Sequence, residues 1–369
     1  MKILRVAQDM YPEVVGGGSY HTHAMSRDQA SMGHDVTTVT VSKQVESRQT
    51  ERRDGYRLVK FPPTITVLGN DISYGSGRFI LLERQSDVVH AHSHVYPSTN
   101  IAALRRLVDD VPLAITCHGI HSVSVPDIVS KTHLLTAGRA TYNAADVVFC
   151  YTDVEKRKLR EVGVTTDIRV VHNGIDHKRF HPDGGGSDRI DDGGVSVLFV
   201  GRLSDGKRPD DAIRIVERVS RSRDVTLYLC GSGPLRSKLE QMVRERGLED
   251  AVEFIGTVDY EEMPSLYRTA DLFLLPTEAE GFPRTVLESL ASATPVVMSR
   301  LEQVAPVVDA AGRTVPVGDI DAFSDAVLEF VDSSDERAEL GQTGREIVEE
   351  EFGWDETVRQ TTDHLEEIL

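Results

Sequence analysis

The chain has 369 residues, with 41 Lys and Arg against 59 Asp and Glu, a formal net charge of −18, and 40% hydrophobic residues. That length suits two domains that each bury a core, and the longest apolar runs, 195–200 and 272–275, fall far short of the roughly 18 residues a membrane-spanning helix needs. So acidic a chain is not expected to bind nucleic acid.

In chain order, the β-branched runs 3–7, 35–41, 87–91, 113–117, 146–150 and 168–171 read as strands, most followed by segments of helical period such as 101–107. This alternation predicts a parallel, doubly wound sheet. It pauses over 181–194, a Gly/Asp-rich stretch with little apolar content that reads as an exposed linker. Strands then resume at 195–200, 225–230, 252–255, 271–275, 295–298 and 313–316, with helices such as 235–246 and 323–331 between them. The expected architecture is α/β, two Rossmann-like doubly wound domains facing a central cleft. They span 1–180 and 195–351, and a C-terminal helix over 352–369 packs back toward the first. Trp354, the one Trp, is the expected packing anchor of that helix.

Cys117, Cys150 and Cys230 lie far apart in or beside apolar runs and read as small buried hydrophobes. Residues 1–7 lead into an apolar strand with no secretory leader pattern, which predicts a cytoplasmic protein. Only 9 of the basic residues are Lys and 32 are Arg, an acid-rich and Lys-poor composition suited to a high-salt, halophilic cytoplasm. Residues 1–180 carry a net +3 and residues 181–369 a net −21. The near-neutral first half is expected to make peripheral contact with the cytoplasmic face of a membrane.

The most informative segment is Pro276-Thr-Glu-Ala-Glu280-Gly-Phe-Pro-Arg-Thr-Val-Leu-Glu288. A strand ends at Leu275, a loop carries Glu280, Gly281 and Phe282, and Pro283 suits the first turn of a helix whose leading N–H groups offer a phosphate site. Glu280 and Glu288 are offset by about 7–8 Å along that axis at 1.5 Å per residue, too far to share a proton but suited to two hydroxyl-rich ends of one ligand. Gly16 and Gly17 directly after the first strand let a backbone approach a phosphate closely. His90-Ala-His92-Ser-His94 alternates along a strand and admits a metal reading, but no carboxylate or Cys ligand pattern accompanies it. Asp319-Ile-Asp321 follows Gly318 and opens an apolar-periodic helix, the place of a helix cap.

Glu280 and Glu288 with seven residues between them, preceded by Pro-Thr and followed by Ala291-Ser-Ala-Thr-Pro295, resemble the signature of glycosyltransferase family 4, retaining enzymes of the GT-B fold. Gly201-Arg202-Leu203 with Lys207 resembles the family's strand-end Arg/Lys pair, which holds the donor diphosphate. Gly231-Ser-Gly-Pro234 resembles its Gly-x-Gly-Pro turn, and Asn173-Gly174-Ile-Asp176 its domain-closing segment. The loop 12–17 with His21, and Thr116-Cys-His118-Gly119, complete the resemblance in the first half. The chain departs from the pattern at Ala293, where Gly is usual, at Arg208, which follows Lys207 where Gly is common, and at Ser299-Arg-Leu-Glu302, which lacks glycine.

The resemblance implies transfer of a sugar from a nucleoside diphosphate donor to an acceptor hydroxyl of a glycan, glycolipid or lipid-linked precursor, with no metal or other cofactor required. It assigns Glu280, His118, Arg202 and Lys207 to catalysis, and Gly16, Gly17, Arg202, Lys207, Gly281, Phe282, Pro283 and Glu288 to the donor. The alternatives are a sugar-nucleotide epimerase or phosphorylase of the same fold, a non-catalytic nucleotide-sugar-binding subunit, and a metal hydrolase built on His90, His92 and His94.

Overall fold

In the computed structural model the chain divides into two compact units, Met1–His172 with Glu356–Leu369, and Asn173–Asp355. Residues 1–67, 69–120, 127–191 and 193–369 are described. Among them no helix is long and apolar enough to cross a membrane.

The first unit is built on strands β1 (Lys2–Val6), β2 (Asp35–Val41), β3 (Gln49–Arg53), β4 (Tyr56–Phe61), β5 (Ile65–Val67), β6 (Asn70–Ile72), β7 (Val88–His92), β8 (Leu113–Thr116), β9 (Val147–Cys150) and β10 (Asp167–Val170). Eight of them form one sheet in the order β10-β9-β8-β7-β1-β2-β4-β3, parallel except for the edge strand β3, while β5 and β6 make a separate hairpin. Successive β1 residues serve opposite faces: Leu4 and Val6 enter one core cluster and Ile3 the other. With both faces covered, the strands read as continuous apolar runs. Four strands are not suggested by the sequence pattern: β3, an exposed polar edge, β4, whose apolar positions are interrupted by Arg57 and Lys60, and the three-residue strands β5 and β6.

The second unit carries β11 (Val195–Val200), β12 (Val225–Cys230), β13 (Val252–Gly256), β14 (Leu272–Leu275), β15 (Val296–Ser299) and β16 (Gly312–Val315), ordered β13-β12-β11-β14-β15-β16 and parallel throughout. Counted within the unit this is 3-2-1-4-5-6, the dinucleotide-fold order. The helix Pro209–Val219 shows why the crossovers form: Pro209 opens it, and Ala212, Ile213, Ile215, Val216 and Val219 bury one stripe against the sheet. Asp319 caps the helix Ile320–Asp332 through the Ala322 N–H at 3.1 Å, and Asp321 pairs with Arg218.

The stretch 181–194 is not a spacer between the units. The division falls at His172 and Asn173, and the stretch is fastened along the second unit. Arg268 donates to the carbonyls of His181, Asp183 and Gly185, the Ser187 N–H to Thr269, and the Asp191 N–H to the Tyr228 hydroxyl. Its anchors are backbone polar groups, which leave no hydrophobic signature; position 192 lies outside the described residues. The tail is helical over Trp354–Glu367, and its residues from Glu356 belong to the first unit. Trp354 is buried, with the Arg284 guanidinium 5.5 Å from its ring. The three cysteines are free and buried, and burial pushes the Cys117 thiol up to about 12.

Candidate active site

In sheets of this order ligands bind beyond the carboxyl ends of the strands, at the point where the strand order reverses. In the second unit that point lies between β11 and β14. Arg202 follows the first of these strands and Glu280 the loop after the second. Arg202 is exposed, and its guanidinium makes no ion pair or hydrogen bond among the described residues. Lys207 closes a short turn, Asp205–Lys207, and its ammonium is ion-paired with Glu280. Glu280 is held further by the buried Thr277 hydroxyl, which donates to its Oε1 at 2.9 Å, and by Gln303, which donates to its carbonyl at 2.5 Å. The Glu278 N–H donates to the Gly206 carbonyl at 2.9 Å, tying the two loops together. A cation and a carboxylate thus stand paired after the two strands at the reversal point, with the exposed Arg202 close in sequence to the end of β11.

Gly231 and Gly233 serve this arrangement by close packing. A Cβ on Gly231 would stand 2.0 Å from the Gly201 carbonyl oxygen, and one on Gly233 2.4 Å from that of Leu203. The turn seats the backbone that presents Arg202.

Pro283 directly precedes the helix Arg284–Ala291, where the first N–H groups have no intrahelical acceptor. Gly281 and Phe282 lead into it. The Phe282 side chain is buried, stacked on Phe352 at 5.2 Å, so only its backbone is available to a ligand; its carbonyl accepts from Asn173 at 3.0 Å. Glu288 is buried, with Oε1 and Oε2 each accepting from a tyrosine hydroxyl, Tyr260 and Tyr267, at 3.0 Å. Burial raises its carboxyl above the ordinary range, opposed by the charge of Arg284. A carboxylate has about four lone-pair positions, so two acceptor positions remain. Arg284 donates to the Gly174 carbonyl at 2.9 Å, fastening the 173–176 segment to the helix. Neither tyrosine nor Arg284 carries a signal in the sequence beyond nearness to a strand end or to the Glu280 loop.

In the first unit the reversal lies between β1 and β7. The loop after β1 carries Gly16 and Gly17 at the start of the helix Gly17–Ser31, and a Cβ on Gly18 would lie 4.0 Å from the His118 Nδ1. His118 follows β8. Its Nε2 lies 2.9 Å from the His92 Nδ1 and its Nδ1 2.6 Å from the Tyr151 hydroxyl, and His21 packs edge-on at 5.2 Å. His90 and His92 are fully buried, and burial holds both well below the ordinary histidine range, so both are neutral. The His92 Nε2 is buried without a hydrogen-bond partner among the described residues. An orphaned lone pair is tolerated better than an orphaned N–H, which assigns the proton to Nδ1, donating to His118. His92 and Tyr151 therefore fix the His118 ring from its two nitrogens. Tyr151 is held in turn by Glu155, whose Oε2 accepts from the Tyr151 N–H at 2.8 Å. Sequence reasoning missed Tyr151, although it lies just past the end of the neighbouring strand β9.

The His90 and His92 rings lie 4.6 Å apart, but the three alternating histidines turn to different partners. His90 binds Thr116 at 2.8 Å and Arg5 at 3.3 Å, His92 binds His118, and His94 lies 2.8 Å from the Tyr142 hydroxyl. No group of three or more His, Cys, Asp or Glu suited to a metal ion occurs among the described residues.

The family model described as Glycosyltransferase Family 4 matches residues 15–179, and that described as Glycosyl transferases group 1 matches residues 187–347. The D-inositol 3-phosphate glycosyltransferase of Saccharomonospora viridis is 30% identical over 75% of this chain and 68% of its own length. The chain belongs to glycosyltransferase family 4. The glycogen synthase of Mycobacterium tuberculosis is 26% identical over 98% of this chain and 93% of its own. Among solved structures, the sucrose-phosphate synthase of Thermosynechococcus elongatus superposes with a TM-score of 0.85 at 20% identity, covering 100% of this chain and 98% of that one. Anabaena HepE in complex with UDP-glucose gives 0.81 at 18% identity over 100% of both chains. The fold is GT-B, and the protein is a glycosyltransferase.

Two departures of this glycosyltransferase from its family's sequence pattern acquire a physical meaning. Arg208 and Ala293, which stand where glycine is usual, hold φ of 51° and 59°, the left-handed region that L side chains avoid. The backbone keeps a conformation suited to glycine although the residues have changed. At Arg208 an ion pair with Asp211 at 2.5 Å offsets part of that cost; at Ala293 no such partner is present among the described residues.

Proposed function

We propose that this glycosyltransferase takes a nucleoside diphosphate sugar as donor and transfers the sugar to an acceptor hydroxyl with retention of anomeric configuration. The observation that carries the reading is the Lys207–Glu280 ion pair at the reversal point of the second sheet, where Arg202 also follows β11. When the bond from the anomeric carbon to the diphosphate breaks, negative charge gathers on the leaving oxygen, and the two cations Arg202 and Lys207 stabilise it more than they stabilise the bound donor.

Lys207 is ion-paired with Glu280. A donor diphosphate competes for the ammonium, and the carboxylate so released accepts from sugar hydroxyls and offsets positive charge at the anomeric carbon. The acceptor oxygen bonds to that carbon on the face the diphosphate leaves, and the acceptor proton passes to the departing phosphate oxygen. No side chain is needed as nucleophile, and no metal is invoked. Glu288 keeps two acceptor positions for the ribose hydroxyls, held in place by Tyr260 and Tyr267. In the first unit the Gly16-Gly17 turn remains the candidate for donor binding and His118 the candidate for catalysis.

HepE is solved with UDP-glucose, which favours a uridine donor as the first to try. A thermal-shift screen of the full chain against nucleoside diphosphate sugars at high salt tests the reading, because a donor that binds only the folded state raises its stability by about 2.7 kcal/mol at a hundred times its Kd. The anomeric configuration of the product, read by proton NMR, tests retention. Release of an epimer without acceptor, or a requirement for orthophosphate, favours the epimerase or phosphorylase alternatives.

A further inference from the structure

The large apolar side chains left exposed are distributed unevenly. Among the described residues the second unit exposes only Val317, while the first exposes many, concentrated on one layer of helices. The helices Tyr74–Leu82, Pro97–Val108 and Arg139–Asn143 lie side by side, the last continuing a helical stretch that begins at Asp127. They share a core: Ile80, Ala102, Leu134 and Tyr142 enter the same cluster beneath the sheet face. Their opposite faces therefore point outward on one side of the unit.

Those outward faces are apolar and cationic. On the first helix Tyr74, Arg78 and Leu82 recur every four residues and are exposed, Tyr74 at 72%. On the second Leu104, Leu107 and Val108 share one face, the latter two about 70% exposed at 71% and 70%. On the third stretch Ile128, Lys131, Leu135 and Arg139 alternate apolar and basic residues at helical spacing, all exposed. Asp109, at the end of the second helix, is ion-paired with Arg84. An exposed apolar patch of this breadth is unusual on a free protein surface, and apolar side chains interleaved with Lys and Arg are the pattern of an interfacial helix.

We infer that this three-helix face docks the protein on an anionic lipid surface, the apolar side chains entering the boundary of the acyl region and Arg78, Lys131 and Arg139 meeting the headgroups. The charge supports a lipid over a second copy of the chain: a two-fold pairing through this face would set its cations against themselves, whereas an anionic bilayer complements them. The acid excess, a net −21 over residues 181–369, lies outside it.

The test uses the full chain in vesicle flotation, with phosphatidylcholine alone and with an equal part of phosphatidylglycerol, at about 0.2 M and about 2 M KCl. The protein should float with the anionic vesicles and retain part of that binding at high salt, where the apolar contribution persists. The double variant Leu104→Glu/Leu107→Glu should lower the bound fraction at least about tenfold, and Leu82→Glu should lower it too. Met32→Glu, which follows the helix whose Ala30 packs on the other core cluster, should leave it unchanged. Circular dichroism and the donor-induced thermal shift report whether each variant is folded. Absence of flotation by the native chain, or equal flotation by native and double variant, overturns the inference. So does a dimer in sedimentation equilibrium that the double variant abolishes, since the face would then join two copies.

Discussion

Glu155 offers a sharp test of how the first unit is assembled. It caps the helix Asp153–Glu161 together with Thr152, whose hydroxyl accepts from the Glu155 N–H at 3.1 Å, while its own Oε2 accepts from the Tyr151 N–H. It is almost wholly buried, and burial raises its carboxyl from the ordinary 4.5 to about 7. Below about pH 4.5 the group is protonated folded or unfolded and contributes nothing to the pH dependence. Between 4.5 and about 7 the unfolded chain releases its proton first, so the folded state binds more protons and stability falls as pH rises. With about 1.4 kcal/mol for each pH unit between the two values, the ionised form is less stable by about 3 kcal/mol above pH 7.

Gln at position 155 can still accept from the Tyr151 N–H but does not titrate. Urea unfolding of Glu155→Gln and native protein from about pH 4 to 8 should give a stability difference that swings toward the variant by about 3 kcal/mol over that range. Any fixed cost of the amide shifts the whole difference curve and leaves its slope intact. Parallel curves would show that Glu155 ionises as it does in the unfolded chain, and the reasoning from its burial would be refuted.

Three further outcomes are expected. Ala293→Gly removes a methyl from a left-handed position at φ 59° and should raise stability by about 0.5–1 kcal/mol after glycine's larger chain entropy is counted, read as an unchanged m-value with a higher urea midpoint. Gly231→Ala forces the Gly201 carbonyl away and should weaken donor-induced thermal stabilisation by at least about tenfold in affinity, with the fold retained by circular dichroism. Tyr151→Phe releases the His118 Nδ1 and should lower turnover by up to about tenfold with KM little changed, the worth of one hydrogen bond; unchanged turnover would mean that the ring needs no such support.

Much of this was legible in the residues because parallel strands buried on both faces leave continuous apolar runs, as in 195–200 and 272–275. The site candidates follow strand ends: Arg202 comes after β11 and Glu280 after β14, the strands at the reversal of the second sheet, while His118 follows β8, which lies beside β7. What stayed hidden rests on polar contacts between distant positions. The stretch 181–194 looks like a spacer because Arg268, Thr269 and Tyr228, which fix it, lie far along the chain. The burial of Glu288 shows only when Tyr260 and Tyr267 are seen to enclose it. Tyr151 has no motif, and its role emerges only when β8 and β9 pair and bring its hydroxyl to His118. Edge strand β3, exposed and polar, leaves no hydrophobic pattern to read.

The central claim is that Arg202, Lys207 and Glu280 act together on a departing diphosphate. Turnover measured with the donor found by thermal shift, for Arg202→Ala, Lys207→Ala and Glu280→Ala beside the native chain, tests it most directly. The account predicts a loss of about 10²-fold or more for each, with thermal stability little changed for the exposed Arg202. Near-native turnover in all three would contradict it.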